Sequence, residues 1–237
     1  PDAILSTVKR FTPKKVTTAQ TLASFKAPVA PQMENLLARF DAAKSVEKDE
    51  KNAVLSWKPQ GSLADWEVAS STEGKLPAYA NRRPPMWVAD AGNGLPAVRF
   101  SGNGASLMSR KLKPEAGLKE AAMTIFAVYA SSVPQEDMSQ NGSNNSLFRV
   151  ASGSGISNGL WPNPAKQTWQ MQMAVQPFKD SPEYIVIGSG FWGAEHIAPT
   201  FFFSGDIAEL LVYRGDLPTV QKIQAELYLN AKCKLRD

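Results

Sequence analysis

Short apolar runs, separated by Gly, Asn, Ser and Pro, follow one another from about Met33 to the end of the chain. The clearest run is Met123–Ala130 (MTIFAVYA), which is rich in β-branched and aromatic residues, as buried strands are. Asn52–Trp57 and Ala97–Phe100 have the same character. Many short strands joined by turn residues are typical of a β-sandwich or barrel, so the pattern predicts an all-β fold.

One segment near the C-terminus has helical spacing instead. The apolar residues that fall on one side of this segment are Val220, Ile223, Leu227, Tyr228 and Ala231. Asp216 or Thr219 can cap such a helix, and Pro218 is tolerated in a first turn. A lone helix on an all-β chain is predicted to cover a sheet edge or the base of the sandwich.

The N-terminal segment 1–32 is rich in Thr, Lys, Ala and Pro and has little apolar patterning. Its first 26 residues hold five basic side chains and one acidic, which accounts for the whole formal charge of +4. A nucleic-acid-binding domain concentrates basic residues on its folded face, so no nucleic-acid partner is predicted. No apolar run is long enough to insert into a membrane. We therefore divide the chain into a basic leader or linker, 1–32, and one folded domain, 33–237.

Two stretches resemble the concanavalin A-like lectin/glucanase (laminin G-like) domains of exported bacterial proteins. Leu95–Gly102, preceded by Asn93-Gly94, is similar to their "NGLPAVRFDG" strand. Ser204–Tyr213 is similar to their "GDIAELLVY" strand, which also precedes a short helix. The resemblance covers about residues 36–235. It implies a two-sheet antiparallel jelly-roll β-sandwich with a short C-terminal helix, and an extracellular, cell-surface or periplasmic location.

The resemblance does not imply one activity, because this fold hosts both lectins and glycanases. Retaining glycanases of the fold carry Glu-x-Asp-x-(x)-Glu on one strand, and no such motif occurs here. Asp206 and Glu209 are three residues apart, which predicts that they lie on opposite faces of a strand. His196 is the only histidine, and no Gly-x-Ser-x-Gly elbow accompanies it. We expect no enzymatic activity.

A metal site is not indicated by the residues. The stretch Ser101-Gly102-Asn103 lacks the acidic pair common in the family, so a calcium site built on that pair is not supported. Cys233 is the single cysteine, and there is no Cys/His cluster for zinc. We expect no cofactor and leave calcium open.

Candidate ligand contacts come from one strand and two loops. Trp169, Met171, Met173 and Val175 alternate with glutamines, which predicts an apolar core face and an open amide-bearing face. The loops 153–164 and 188–198 carry tryptophans that could stack on sugar rings; the alternative is that these rings tuck under their own loops. The predicted ligand-binding residues are Trp161, Asn163, Gln170, Gln172, Trp192 and His196.

These features favour a non-catalytic binding or adhesion module, with a glycan or cell-surface polysaccharide as the expected partner. One alternative is a structural or protein–protein interaction domain of a surface assembly. Apolar patches would favour that alternative, whereas a polar face with exposed tryptophan favours glycans. The second alternative is a glycan-active enzyme with an unrecognised site, which two close acidic side chains in a cleft would support.

Deleting residues 1–32 is predicted to leave the fold intact, because this segment holds the charge excess and little patterned apolar sequence. The melting temperature of the shortened chain, followed by circular dichroism, should lie within a few degrees of the full chain's. A larger loss would mean that the leader packs on the sandwich.

Overall fold

A computed structural model of the chain has two packed β-sheets and a helix. It describes residues 30–31, 33–63, 66–70, 84–92, 94–102, 104–109, 112, 122–132, 146–152, 157–160, 162, 168–177, 182–191, 199–200 and 202–235. Within these ranges the sheets are antiparallel, and the regular helix is C-terminal. The predicted all-β, two-sheet antiparallel architecture with a short C-terminal helix is confirmed.

The elements are bounded as follows. The strands are β1 Leu36–Asp41, β2 Val46–Lys48, β3 Val54–Trp57, β4 Val68–Ala69, β5 Met86–Val88, β6 Ala97–Ser101, β7 Leu107–Ser109, β8 Ala122–Ser131, β9 Phe148–Ser152, β10 Ser157–Leu160, β11 Gln170–Pro177, β12 Pro182–Ile187, β13 Gly190–Phe191, β14 Pro199–Thr200 and β15 Ser204–Arg214. The helix α1 spans Thr219–Cys233. In the described part of the chain, no helix has the length and apolar character needed to cross a lipid bilayer.

β15 is the central strand of the first sheet, which we call sheet 1. Its order is β11-β8-β15-β6-β5, and β1 also pairs with β15. β15 pairs with β8 on one side; on the other it pairs with β6 through its first half and with β1 through its second. Sheet 2 has the order β10-β9-β12-β7-β4-β3-β2, and β13 and β14 form a separate two-stranded sheet.

The main core lies between the two sheets. Phe40 of β1 and Trp57 of β3 are both fully buried and meet edge to face, with ring centroids 5.7 Å apart. Tyr129 of β8 makes a similar contact with Phe203 at 6.2 Å. Burying each such side chain contributes about 1.5–3 kcal/mol, so this layer supplies most of the apolar stabilisation. We call the face of sheet 1 that meets this core its inner face.

A β-bulge in β15 places two acidic residues on one face. Asp206 is opposite Ala130 of β8, whereas Glu209 is opposite Val128, because the register shifts between Ile207 and Glu209. Ala130 and Val128 are two residues apart and share a face, so Asp206 and Glu209 also share one, the outer face of sheet 1. The prediction that they lie on opposite faces is wrong, because the bulge adds one residue to the alternation.

The helix α1 covers part of this outer face. Its buried residues are Ala225, Tyr228, Leu229 and Cys233, and they pack against Phe126, Leu211 and other outer-face residues of sheet 1. The prediction, made from helical spacing, of which side of α1 is buried is therefore wrong except at Tyr228. Val220 is 56% exposed and Ile223 39% exposed. Neither Asp216 nor Thr219 caps the helix, since its N-cap is Pro218 with no side-chain hydrogen bond.

A buried ionic cluster explains which side of α1 faces the sheet. Arg39 binds Glu209 and Asp41, each at 2.8 Å, and both carboxylates are almost fully buried. From the helix, Lys232 reaches Asp41 at 2.7 Å and also binds Glu209, while the Tyr228 hydroxyl donates to Glu209 Oε1 at 3.1 Å. Burial lowers the pKa of Arg39, but Glu209, Tyr228 and Asp41 together raise it, and the net shift is upward. Tyr228 and Lys232 are one helical turn apart, so together they fix the rotation of α1.

Replacing Glu209 with Ala should destabilise the fold by about 3–5 kcal/mol, because Arg39 and Lys232 would lose a partner beneath the helix. Urea denaturation at neutral pH measures this change in the free energy of unfolding. As a control, Asp216→Ala removes only the exposed pair with Lys222 and should cost no more than about 1 kcal/mol. Equal costs for the two variants would show that the cluster does not hold α1.

Candidate functional site

The part of the outer face that α1 leaves open carries a row of side chains running across the strands. Met86 of β5 is opposite Arg99 of β6, Arg99 is opposite Asp206 of β15, and Asp206 is opposite Ala130 of β8. Continuing the β8–β11 register by one residue places Trp169 opposite Ala130. Residues opposite one another in antiparallel strands share a face, so four neighbouring strands and the residue just before β11 contribute one residue each to this row. We call it the transverse row.

A second row, of serines, lies beside the transverse row. Ser101 of β6 is opposite Ser204 of β15. The Ser132 backbone donates to the Ser204 carbonyl at 3.0 Å, and the two hydroxyls are 2.7 Å apart. The serines are two residues along their strands from the transverse row, which corresponds to about 7 Å. A band of hydroxyl groups therefore borders it.

Together the two rows form the floor of an open cleft, which we call the outer cleft. Its volume is about 1120 Å³. The lining residues are Pro84, Met86, Ala91, Gly92, Arg99, Phe100, Ser101, Ala130, Ser131, Ser132, Thr168, Trp169, Ser204, Gly205 and Asp206. The lining combines an aromatic ring, an ion pair and several hydroxyls, so it offers both an apolar plane and hydrogen-bonding groups.

Trp169 is held in the outer cleft by a turn. Its Nε1 donates to the Ala91 carbonyl at 3.2 Å, and the turn is organised by Asp90, whose Oδ1 accepts from the amides of Gly92 and Gly94. A Cβ at Gly92 would lie 3.3 Å from the indole Nε1, so the turn approaches the ring closely. The prediction that Trp169 is a core residue holds only in part. Trp169 packs against the apolar residues between α1 and the outer face of sheet 1, but it is only half-buried.

Arg99 and Asp206 form a bidentate ion pair in the middle of the transverse row. Arg99 Nε lies 2.7 Å from Asp206 Oδ1, and Nη2 lies 2.9 Å from Oδ2. The Arg99 side chain is 51% exposed and that of Asp206 only 12%. Hydrogen bonding to Asp206 raises the pKa of Arg99. The pair uses two of the five N–H groups of the guanidinium, so Arg99 still has donors to offer toward the cleft.

Gly205 allows β15 to approach β8 at the edge of the cleft. Its φ is +147°, and an added Cβ would lie 2.2 Å from the Ala130 carbonyl oxygen and 2.6 Å from the Phe203 ring. Any other residue would push the strands apart where Asp206 and Ser204 are positioned. A glycine is therefore required for the geometry of the floor.

The two predicted glutamines lie on the inner face of sheet 1. Gln170 is opposite Tyr129 and Gln172 is opposite Ala127, and both of these partners belong to the main core. Gln172 Oε1 accepts from the Tyr129 hydroxyl at 2.8 Å. The prediction of an open, outward glutamine face is wrong, because the methionine side of β11 packs beneath α1 and leaves the inner side to the amides. Their role in ligand binding stays a prediction.

The other four predicted residues, Trp161, Asn163, Trp192 and His196, lie outside the described residues. Their predicted role stays a prediction. The segment 153–164 that carries two of them is not wholly a loop, because residues 157–160 form β10 and pair with β9.

The sequence interpretation misses Arg99 and Asp206 as cleft residues and assigns Trp169 to the core face. Arg99 lies between two core residues, Val98 and Phe100, so strand alternation alone places it on the opposite face. The signal for Asp206 is weaker, because simple alternation along β15 does not predict that Asp206 and Glu209 share a face across the bulge. In the described part of the chain, no three His, Cys, Asp or Glu side chains gather as metal ligands would.

Comparison with known proteins finds similarity only among solved structures. No family model matches the sequence, and no curated protein matches it. The resemblance to the concanavalin A-like family therefore stays a prediction, and the sandwich assignment rests on the sheet topology itself.

Three solved structures illustrate the similarity. An exo-β-1,3-galactanase from Phanerochaete chrysosporium with galactose has 14% identity and a TM-score of 0.31, covering 54% of this chain and 26% of that chain. The C-terminal CBM6 of LamC, a marine laminarinase from Zobellia galactanivorans, has 12% identity and a TM-score of 0.32, covering 54% and 87%. The carbohydrate-binding module CBM6cm-2 from Cellvibrio mixtus lichenase 5A, in complex with cellotriose, has 11% identity and a TM-score of 0.31, covering 76% and 99%. This chain thus spans about a quarter of the galactanase's length.

Replacing Gly205 with Ala should destabilise the fold by at least about 2 kcal/mol more than replacing Gly215, because only the first substitution adds a steric clash to an unfavourable φ. Gly215 has φ +82° with nothing within 4 Å of an added Cβ, so Gly215→Ala is the matched control. Chemical denaturation of both variants measures the difference. Similar free energies of unfolding would mean that β8 and β15 can separate at this point without cost.

Proposed function

We propose that this chain is a non-catalytic carbohydrate-binding module and that its ligand lies in the outer cleft. The observation that carries the proposal is the half-buried Trp169 ring, fixed at one end of a row that also holds the Arg99–Asp206 pair. Sugars present apolar C–H faces and peripheral hydroxyls, so a site for them combines an aromatic plane with nearby hydrogen-bonding groups.

The polar groups of the cleft suit hydroxyl ligands. Ser132 and Ser204 already share one hydrogen bond, and each hydroxyl retains capacity to donate or accept. The guanidinium of Arg99 adds donors held in place by Asp206. Because Arg99 and Ser204 lie on strands and Ser132, directly after β8, is held by a backbone hydrogen bond to Ser204, these groups are preformed and little ordering is required on binding.

The absence of catalysis is part of the proposal. Glycoside hydrolysis requires two carboxyl groups on either side of the scissile bond, about 5–9.5 Å apart. Asp206 is the one carboxylate among the described lining residues, and both its oxygens bind Arg99. Glu209 is on the same face but is fully buried beneath α1, where Arg39 and Lys232 bind it. A module of this kind would bind an extracellular or cell-surface polysaccharide.

A second candidate function is a protein contact through α1. Val220 and Ile223 are exposed on consecutive turns of the helix, and Val175 of β11 is 36% exposed. Val220 and Ile223 are three residues apart and so are neighbours on the helix surface, and contiguous exposed apolar residues are a feature of interaction surfaces. A structural or protein-binding role would use this side of α1 and not the outer cleft.

Trp169→Ala should weaken binding to the best ligand on a glycan array by about 5- to 150-fold, because the stacking surface is lost. Isothermal titration calorimetry on the full chain gives the dissociation constants. Ile223→Ser, on the exposed side of α1, is the matched control and should leave glycan affinity unchanged. Unchanged glycan affinity of folded Trp169→Ala would contradict the proposed site.

A further inference from the structure

Resting on the proposed function, we propose that the ligand of the outer cleft is an uncharged oligosaccharide lying across the strands, from Trp169 toward Met86. Two features of the site carry this inference: the charge balance of the lining and the direction of the transverse row.

The described lining has no net charge. Arg99 and Asp206 are its charged residues, and they neutralise each other through two hydrogen bonds. The other polar side chains that the cleft presents are the hydroxyls of Ser101, Ser132, Thr168 and Ser204 and the indole of Trp169, whereas Ser131 is buried on the inner face. A uronate or sulfate near the guanidinium would also lie near the Asp206 carboxylate, which cancels much of the attraction. Hydroxyl groups meet no such opposition.

The direction of the row sets the orientation and length of the ligand. Trp169 and Met86 are at opposite ends of the transverse row, four strand spacings apart, which is about 19 Å. Ala130, next to Trp169, is small and leaves room above the floor between the indole and Asp206. A monosaccharide stacked on Trp169 would not reach Met86, whereas a chain of several sugars would follow the row. Affinity should therefore rise with chain length.

The charge inference is tested with two variants that change the cleft in opposite directions. Asp206→Asn leaves the positive charge of Arg99 uncompensated, and Arg99→Gln leaves the negative charge of Asp206. The first should shift the preference between neutral and uronate-containing oligosaccharides by about tenfold toward uronates, and the second should shift it toward neutral chains. Arg99 is half exposed, so Arg99→Gln gives a result even if Asp206→Asn, in a more buried position, does not fold.

Calorimetric titrations of the full chain use neutral mono- to tetrasaccharides and uronate counterparts of the same length, in about 50 mM and about 500 mM NaCl. Neutral chains should gain about tenfold in affinity from mono- to tetrasaccharide, change less than about twofold with salt, and bind about tenfold more tightly than the uronates.

The outcomes separate this inference from the proposed function. Tight, salt-sensitive uronate binding that Trp169→Ala abolishes would overturn the uncharged ligand but keep the carbohydrate site. A monosaccharide that binds as tightly as the tetrasaccharide would overturn the orientation across the strands. Failure of every glycan to bind, or binding that Trp169→Ala leaves unchanged, would overturn the proposed function itself.

Discussion

The pairing of β15 on both sides is the constraint on which the rest of the structure depends. This strand pairs with β8 from Gly205 to Arg214, with one register shift, and with β6 and then β1 on the other side. The bulge between Ile207 and Glu209 changes its alternation partway along. As a result, the first half presents Asp206 to the open part of the outer face and the second half presents Glu209 to the helix. One strand therefore positions both the site and the ionic cluster.

Each carboxylate on the outer face of sheet 1 is paired with a cation, both beneath α1 and in the outer cleft. Glu209 and Asp41 are buried, and each has two cationic partners, Arg39 and Lys232, because an unpaired buried carboxylate is strongly destabilising. The Asp206 side chain is slightly less buried, at 12% exposed, and it pairs with Arg99, whose side chain is 51% exposed. In the covered half of the outer face, the ion pairs hold α1 in place. The open half gains oriented donors, which is what ligand binding requires.

Features that depend on neighbouring residues in the sequence are predicted correctly, whereas features that depend on distant residues are not. The predicted strand Met123–Ala130 corresponds to β8, and the predicted C-terminal helix to α1, because apolar runs and helical spacing are local properties. The side of α1 that is buried was not predictable from spacing, since partners more than 180 residues away in sequence select Tyr228 and Lys232. The inward direction of Gln170 and Gln172 depends likewise on α1 covering the methionine side of β11. Alternation along a strand assigns its side chains to two faces, but it does not predict which face packs against the other sheet and which packs against the helix.

The site itself shows the same limit more sharply. Trp169, Arg99 and Asp206 come from three strands or strand ends that are far apart in sequence, and they meet only through the registers of sheet 1. Alternation around Arg99 predicts an outward side chain. The pairing of Asp206 with Arg99 depends on the register between β6 and β15, and the position of Trp169 depends on a turn made by Asp90 and Gly92. Each of these positions is held by backbone pairing or by a backbone hydrogen bond. The described floor of the cleft is therefore preformed, and under the proposed function we expect selectivity to come from the charge balance and direction of this floor.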